Sequence, residues 1–183
     1  MVMRLSLFTV CLFLAACGQQ KPLPIIGDVP QFQLTDQLGR TFDSSALNGH
    51  VWVADFIFTN CEGPCPRMSS HMKALQSKTD SAVKLISFTV DPARDTPPVL
   101  ADYAKKFEND SSKWLLLTGS VATLNMLDED AFKEGSVGGE IEHSTYFALV
   151  DKKGHIRGMY GISAGDPVAK ISKDAARLEK EAS

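Results

Sequence analysis

The 183-residue sequence has no block of Lys or Arg, only four cysteines and four histidines, and no proline between Pro98 and Pro167. Without a concentrated basic face, and with a formal charge of −3, nucleic acid is excluded as the main partner, because phosphate binding draws on clustered cations. No apolar run is long enough to cross a bilayer: Leu5 to Ala16 spans 12 residues, where a spanning helix requires about 20. Neither an internal repeat nor a low-complexity segment is present. A length of 183 residues with 44% hydrophobic and 22% charged residues suits one domain with its own core.

What is there begins with MVMRLSLFTVCLFLAACGQQ: one early positive charge at Arg4, the short apolar run, then small residues before Cys17. This is the pattern of a secretory signal over residues 1–16. The stretch LAAC, Leu14 to Cys17, resembles the bacterial lipoprotein box, in which cleavage precedes the cysteine and acyl chains are added to it. The resemblance implies that Cys17 carries the lipid and holds the chain at a membrane surface in the bacterial cell envelope, with its domain outside the cytoplasm. Cys11 then leaves with the signal, Cys61 and Cys65 become the only free thiols, and loss of Arg4 takes the formal charge from −3 to −4. Residues 17–30, with Pro22, Pro24 and Pro30, read as a tether, and 31–183 as the domain.

Within the domain, FQLTDQLGRTFD predicts a β-hairpin turning at Gln37 to Arg40 with Gly39 at positive φ. VWVADFIF, Val51 to Phe58, is a nearly continuous apolar and β-branched run, the mark of a central strand covered on both faces. A helix begins beside Cys65, with Pro66 in its first turn and Met68, Met72 and Leu75 at the helical period. Val83 to Val90 is a second buried strand, and Thr96 and Pro97 open a helix to about Phe107. KWLLLTG is a third strand, Ser120 caps a helix, a hairpin turns at Asp151 to Gly154, and an amphipathic helix closes the chain. Strands alternating with helices predict an α/β fold, a central mixed sheet flanked by helices on both faces.

That order, with a cysteine motif between the first long strand and its helix, resembles the thioredoxin-like fold. FIFTNCEGPCP, FTVDPARDTPPVL, EHSTYFALVDKKG and the opening hairpin resemble the Sco/SenC family of membrane-anchored copper chaperones, over roughly residues 25 to 180. One departure is visible: many members have Pro directly after the first cysteine, where this chain has Glu62, with its proline at Pro64.

Cys61 and Cys65, four apart at a helix start, lie on one side of it and can form a disulfide or chelate one ion. The helix N-terminus predicts a lowered thiol pKa, opposed by Glu62. Two thiolates with one imidazole suit copper(I), which accepts three ligands, whereas zinc seeks a fourth. Copper(II) would draw further nitrogen or oxygen ligands, such as water or Glu62. Of the histidines, His50 and His155 read as solvated turn residues, and His71, six beyond Cys65, points well away from it. His143 immediately precedes a strand that in the thioredoxin-like arrangement runs beside the cysteine helix. Where oxidoreductases of that fold carry a cis-proline, Ser144 stands here. On pattern alone His143 is a candidate ligand; the Sco/SenC resemblance implies that it completes the set with Cys61 and Cys65. EGSVGGEIEH, Glu134 to His143, reads as a mobile loop that delivers it. Asp91 and Asp95 are expected to order their own turn through backbone hydrogen bonds, and Met68 and Met72 to be core.

Three functions follow. The first is a copper chaperone, whose recipient the resemblance implies to be the dinuclear copper centre of a respiratory oxidase, served also by a copper donor and a thiol reductant. The second is a thiol-disulfide oxidoreductase with Cys61 as nucleophile and Cys65 resolving, or, as a weaker variant, a peroxidase. The third, a binding module with an inert Cys61–Cys65 disulfide, fits least, because so short a loop removes little chain entropy. His143 with Ser144 in place of proline favours copper, since dithiol exchange has no need of the imidazole.

Overall fold

The computed structural model describes residues 21–133 and 145–181. The elements in chain order are β1 (Gly27–Asp28), β2 (Gln33–Asp36), β3 (Thr41–Asp43), a 3-10 turn at Ser44–Leu47, β4 (Trp52–Ile57), α1 (Cys65–Lys78), β5 (Lys84–Thr89), α2 (Pro97–Lys106) and β6 (Trp114–Thr118). There follow α3 (Val121–Asn125), continued by a π-helical stretch Met126–Phe132, then β7 (Tyr146–Val150), β8 (His155–Gly161) and α4 (Pro167–Leu178). The expected elements form, and the expected hairpin turns with Gly39 at φ 78°, a conformation that only glycine adopts at no steric cost.

The strands make one mixed sheet in the order β1-β8-β7-β4-β5-β6-β2-β3. β4, β5 and β6 are parallel and joined through α1 and α2; β7 runs antiparallel to β4, with Trp52 opposite Val150 and Ala54 opposite Ala148. All six residues of β4 are buried, as a strand covered on both faces requires. Its alternation divides the core. Val51, Val53 and Ile57 pack with Met68, Met72 and Leu75 of α1, Leu100 of α2 and Ile171 of α4. Trp52, Ala54 and Phe56 pack on the other face with Leu34 of β2 and Phe32 just before it, and with Leu124, Leu127 and Phe132. The architecture is thus the thioredoxin-like α/β arrangement expected, and the carboxyl ends of β4 and β5 form the edge at which such sheets place their sites.

The tether reading meets a different arrangement from Lys21 onward. Residues 21–28 lie along the domain: Arg157 donates to the carbonyls of Leu23 and Pro24, and β1 pairs with β8 through Gly27 and Asp28. Gly27 and Asp28 pair with the edge of the sheet because β8 would otherwise leave its outer row of backbone groups unpaired.

Candidate metal centre

β4 delivers the chain to the two cysteines, and a buried carboxylate fixes the turn between them and the strand. Asp95, 1% exposed, accepts from the Thr59 backbone N–H at 3.1 Å and from Thr59 Oγ1 at 2.6 Å, and also from Thr89 Oγ1 at 2.6 Å. The Cys61 N–H then donates to the Phe58 carbonyl at 3.3 Å, and α1 opens at Cys65 with Pro64 before it and no side-chain cap. Pro66 sits in the first turn, where its missing N–H costs nothing. Both cysteines are free thiols, 7% and 2% exposed, and they are hydrogen-bonded to each other.

The electrostatics correct one expectation. Burial pushes the Cys65 thiol well above its ordinary range, reinforced by the hydrogen bond with Cys61 and by the negative charge of Asp55, against a backbone hydrogen bond with Phe58. The helix terminus does not win because the sulfur is withdrawn into the low-dielectric core, where the thiolate loses its hydration.

Asp55 is the residue that the sequence pattern passed over. On β4 it alternates onto the face of Val53 and Ile57, the one covered by α1, and it is 1% exposed. Burial holds its carboxyl up to about 7, with the hydrogen bond from Ser87 Oγ, 2.5 Å, acting the other way. Ser87 Oγ in turn accepts from Trp114 Nε1 at 2.9 Å, while Asp55 Oδ2 has no hydrogen-bond partner among the described residues. Close by, the Tyr103 hydroxyl lies 2.8 Å from Ser69 Oγ, and burial raises this phenol above its ordinary range. The available signal was one carboxylate inside a strand covered on both faces; such a group has nowhere to meet water.

The other candidates separate cleanly. Met68 and Met72 are fully buried, as core. The Asp91 carbonyl accepts from the N–H groups of Arg94 and Asp95, and its carboxylate pairs with Arg94, so it does order its turn. The Asp95 carboxylate does not: it reaches across to Thr59 and Thr89, which corrects the local reading. Glu62 is exposed. His50 Nδ1 lies 3.1 Å from the Ala82 carbonyl, and His155 is hydrogen-bonded to Asp28; neither is simply solvated. His71 is half-buried with its ring edge-on to Phe147, and burial, then Arg67, lowers its pKa. Its Nε2 is buried with no hydrogen-bond partner among the described residues. Among those residues, no three His, Cys, Asp or Glu side chains converge as a metal-holding group. His143, Ser144, the loop from Glu134 and the lipidation residue Cys17 lie outside the described residues.

The family model described as SCO1/SenC matches residues 26–178. A SCO1 protein homolog of Bacillus subtilis is 36% identical over 176 residues, covering 90% of each chain. The crystal structure of a SCO1/SenC family lipoprotein from Bacillus anthracis superposes with TM-score 0.76 at 37% identity, over 86% of this chain and 98% of that one. The structure of BsSco, described as containing a disulfide switch and as a member of the Sco family of cytochrome c oxidase assembly proteins, gives TM-score 0.79 at 31% identity, over 89% and 100%.

Proposed function

This chain belongs to the SCO1/SenC family, and from that premise we propose that it is a membrane-anchored copper chaperone. Cys61 and Cys65 bind copper, His143 completes the set, and the metal passes to the dinuclear copper centre of a respiratory oxidase, through that enzyme's copper-accepting subunit. One observation carries the reading: two free thiols, mutually hydrogen-bonded, sit at the carboxyl end of a central parallel strand. Two soft sulfurs at that spacing suit copper(I), which is content with one further ligand. The topology supports His143 as that ligand. β7 starts at the cysteine end of the sheet, where the Thr145 carbonyl accepts from the Ile162 N–H. His143 is two residues upstream of Thr145, within a covalent reach of about 7 Å between Cα atoms.

Binding in the envelope is reached through the lipid on Cys17, which the likeness to a family lipoprotein supports. A copper donor loads the dithiol, and a thiol reductant restores it when Cys61 and Cys65 have been oxidised to a disulfide. Copper(II) is accommodated by adding oxygen ligands such as water or Glu62. The contact between the two sulfurs also supports a second reading, exchange of the dithiol with disulfides of a cuproprotein, in which His143 has no part.

The test is an anaerobic copper(I) titration of the reduced protein against a competing chelator, wild type beside His143→Ala. One copper per chain, with affinity falling about 10-fold or more in the variant, equivalent to roughly 1.4 kcal/mol, supports the three-ligand site. Weak binding indifferent to His143, with dithiol oxidation intact, would turn the assignment to the redox reading.

A further inference from the structure

The chain enters its domain at the end remote from the cysteines. Arg177, in the last turn of α4, donates to the Lys21 carbonyl at 2.7 Å, and Arg157 donates to that of Leu23 at 2.7 Å. β1 then pairs Gly27 with Ile156 and Asp28 with His155. Ile156 lies opposite Val150 of β7, which lies opposite Trp52, the first residue of β4. The cysteines follow the last residue of that strand. The entry pole and the thiol pole are therefore separated by the six residues of β4, about 20 Å at ~3.3 Å per residue.

From Cys17 to Lys21 there are four peptide links, which span at most about 14 Å when fully extended. A lipid on Cys17 keeps Lys21 within about 14 Å of the headgroup layer. The surface there matches such a neighbour. Ile25 and Ile26 are 61% and 56% exposed, unusual for isoleucine, and Lys21 and Lys153 are exposed beside them. An open groove of about 600 Å³ is lined by residues 21–25 and by the turn at 151–155, with Leu23, Ile25, Lys153 and His155 among its lining and Glu181 as its one acidic side chain besides Asp151, which is paired with Arg157. Apolar side chains flanked by lysines are what the boundary between acyl chains and lipid phosphates accepts.

We propose that the entry pole, residues 21–28 with the turn 151–155, is a face that docks on the bilayer. Ile25 and Ile26 enter the headgroup layer, Lys21 and Lys153 meet lipid phosphates, and Cys61 and Cys65 are held facing away from the membrane. The inference rests on the lipidation of Cys17 in the function proposed above and deepens it. The thiols stand about 20 Å or more above the bilayer, so the acceptor of their cargo presents its site on a water-exposed domain at that height and not within the membrane.

The acylated full-length chain, in protein-free phosphatidylethanolamine and phosphatidylglycerol vesicles doped with brominated lipid, tests this directly. Ile25→Trp and Glu62→Trp place the same reporter at the two poles, against the background of buried Trp52 and Trp114. The added emission of I25W is expected to fall roughly twofold or more, since bromine quenches only at the depth of the acyl boundary, and that of E62W to be unchanged. An acylated chain in which I25W is not quenched, or in which E62W is quenched equally, overturns the docking face and leaves the anchor standing. Mass spectrometry showing no acyl chains on Cys17 overturns both.

Discussion

The two poles of the sheet handle buried polar groups in opposite ways. At the entry pole Arg157 is 7% exposed and fully engaged: Nη1 donates to Asp151 at 2.8 Å and Glu181 at 3.0 Å, and Nη2 to the Leu23 carbonyl. Burial alone would raise the Asp151 carboxyl, but Arg157 and the N–H groups of His155 and Lys153 outweigh it and hold it below its ordinary range. At the thiol pole one Asp55 oxygen and a buried His71 nitrogen have no hydrogen-bond partner among the described residues, and Cys65 is driven toward its neutral form. One pole spends its charges on stability; the other tolerates unsatisfied groups around two thiols, which is where function claims a share of the folding free energy.

That contrast can be broken by substitution, and the largest expected effect is at the entry pole. Arg157→Met strands Asp151 in the interior and removes the bond that seats Leu23, so urea unfolding should show a loss of about 3–5 kcal/mol. A loss under about 1 kcal/mol would mean that the network is ornamental and the comparison empty.

At the thiol pole the sign reverses. With its carboxyl held up to about 7 against an ordinary value near 3.8, folded Asp55 binds a proton that the unfolded chain releases. Its contribution is neutral below the unfolded value, and stability is lost as pH rises toward and through 7. Asp55→Asn should therefore stabilise the metal-free protein by about 2–4 kcal/mol at pH 8 and by almost nothing at pH 4, read from paired unfolding curves. A variant less stable at both pH values would show that the carboxylate is satisfied after all.

Two smaller changes sharpen the picture of how the thiols are positioned. Asp95→Asn turns an acceptor of the Thr59 N–H into a group that also donates, with an expected loss of about 2 kcal/mol and weaker copper(I) binding. Thr59→Val removes only the hydroxyl and leaves the backbone bond, so its cost should be about 1 kcal/mol. Equal stability losses with copper affinity untouched would confine Asp95 to the fold.

Much of the fold was legible because it rests on local rules. The alternation of the hairpin, Gly39 at its turn, the strand after His50, and Pro66 and Pro97 in first helical turns each follow from backbone sterics and burial. The cysteine spacing placed the two sulfurs on one side of the helix for the same reason, and they are hydrogen-bonded to each other. What was not legible depended on neighbours distant in sequence. Asp95 reads as a turn residue until β4 and β5 lie side by side and bring Thr59 against it, 36 positions away. His155 reads as a solvated turn histidine until Asp28, 127 positions away, pairs with it across the sheet edge.

The sequence by itself determined the order of strands and helices, the placing of Cys61 and Cys65 at a strand end, and the family, since these are written in periodicity and motif. Only the tertiary structure decided the state of the groups around them. Whether Cys65 favours thiol or thiolate, and whether Asp55 keeps its proton, depends on how much water the packed chain excludes. Desolvation is a property of the whole surround, contributed by α1, α2 and the neighbouring strands together, and no short stretch of residues encodes it.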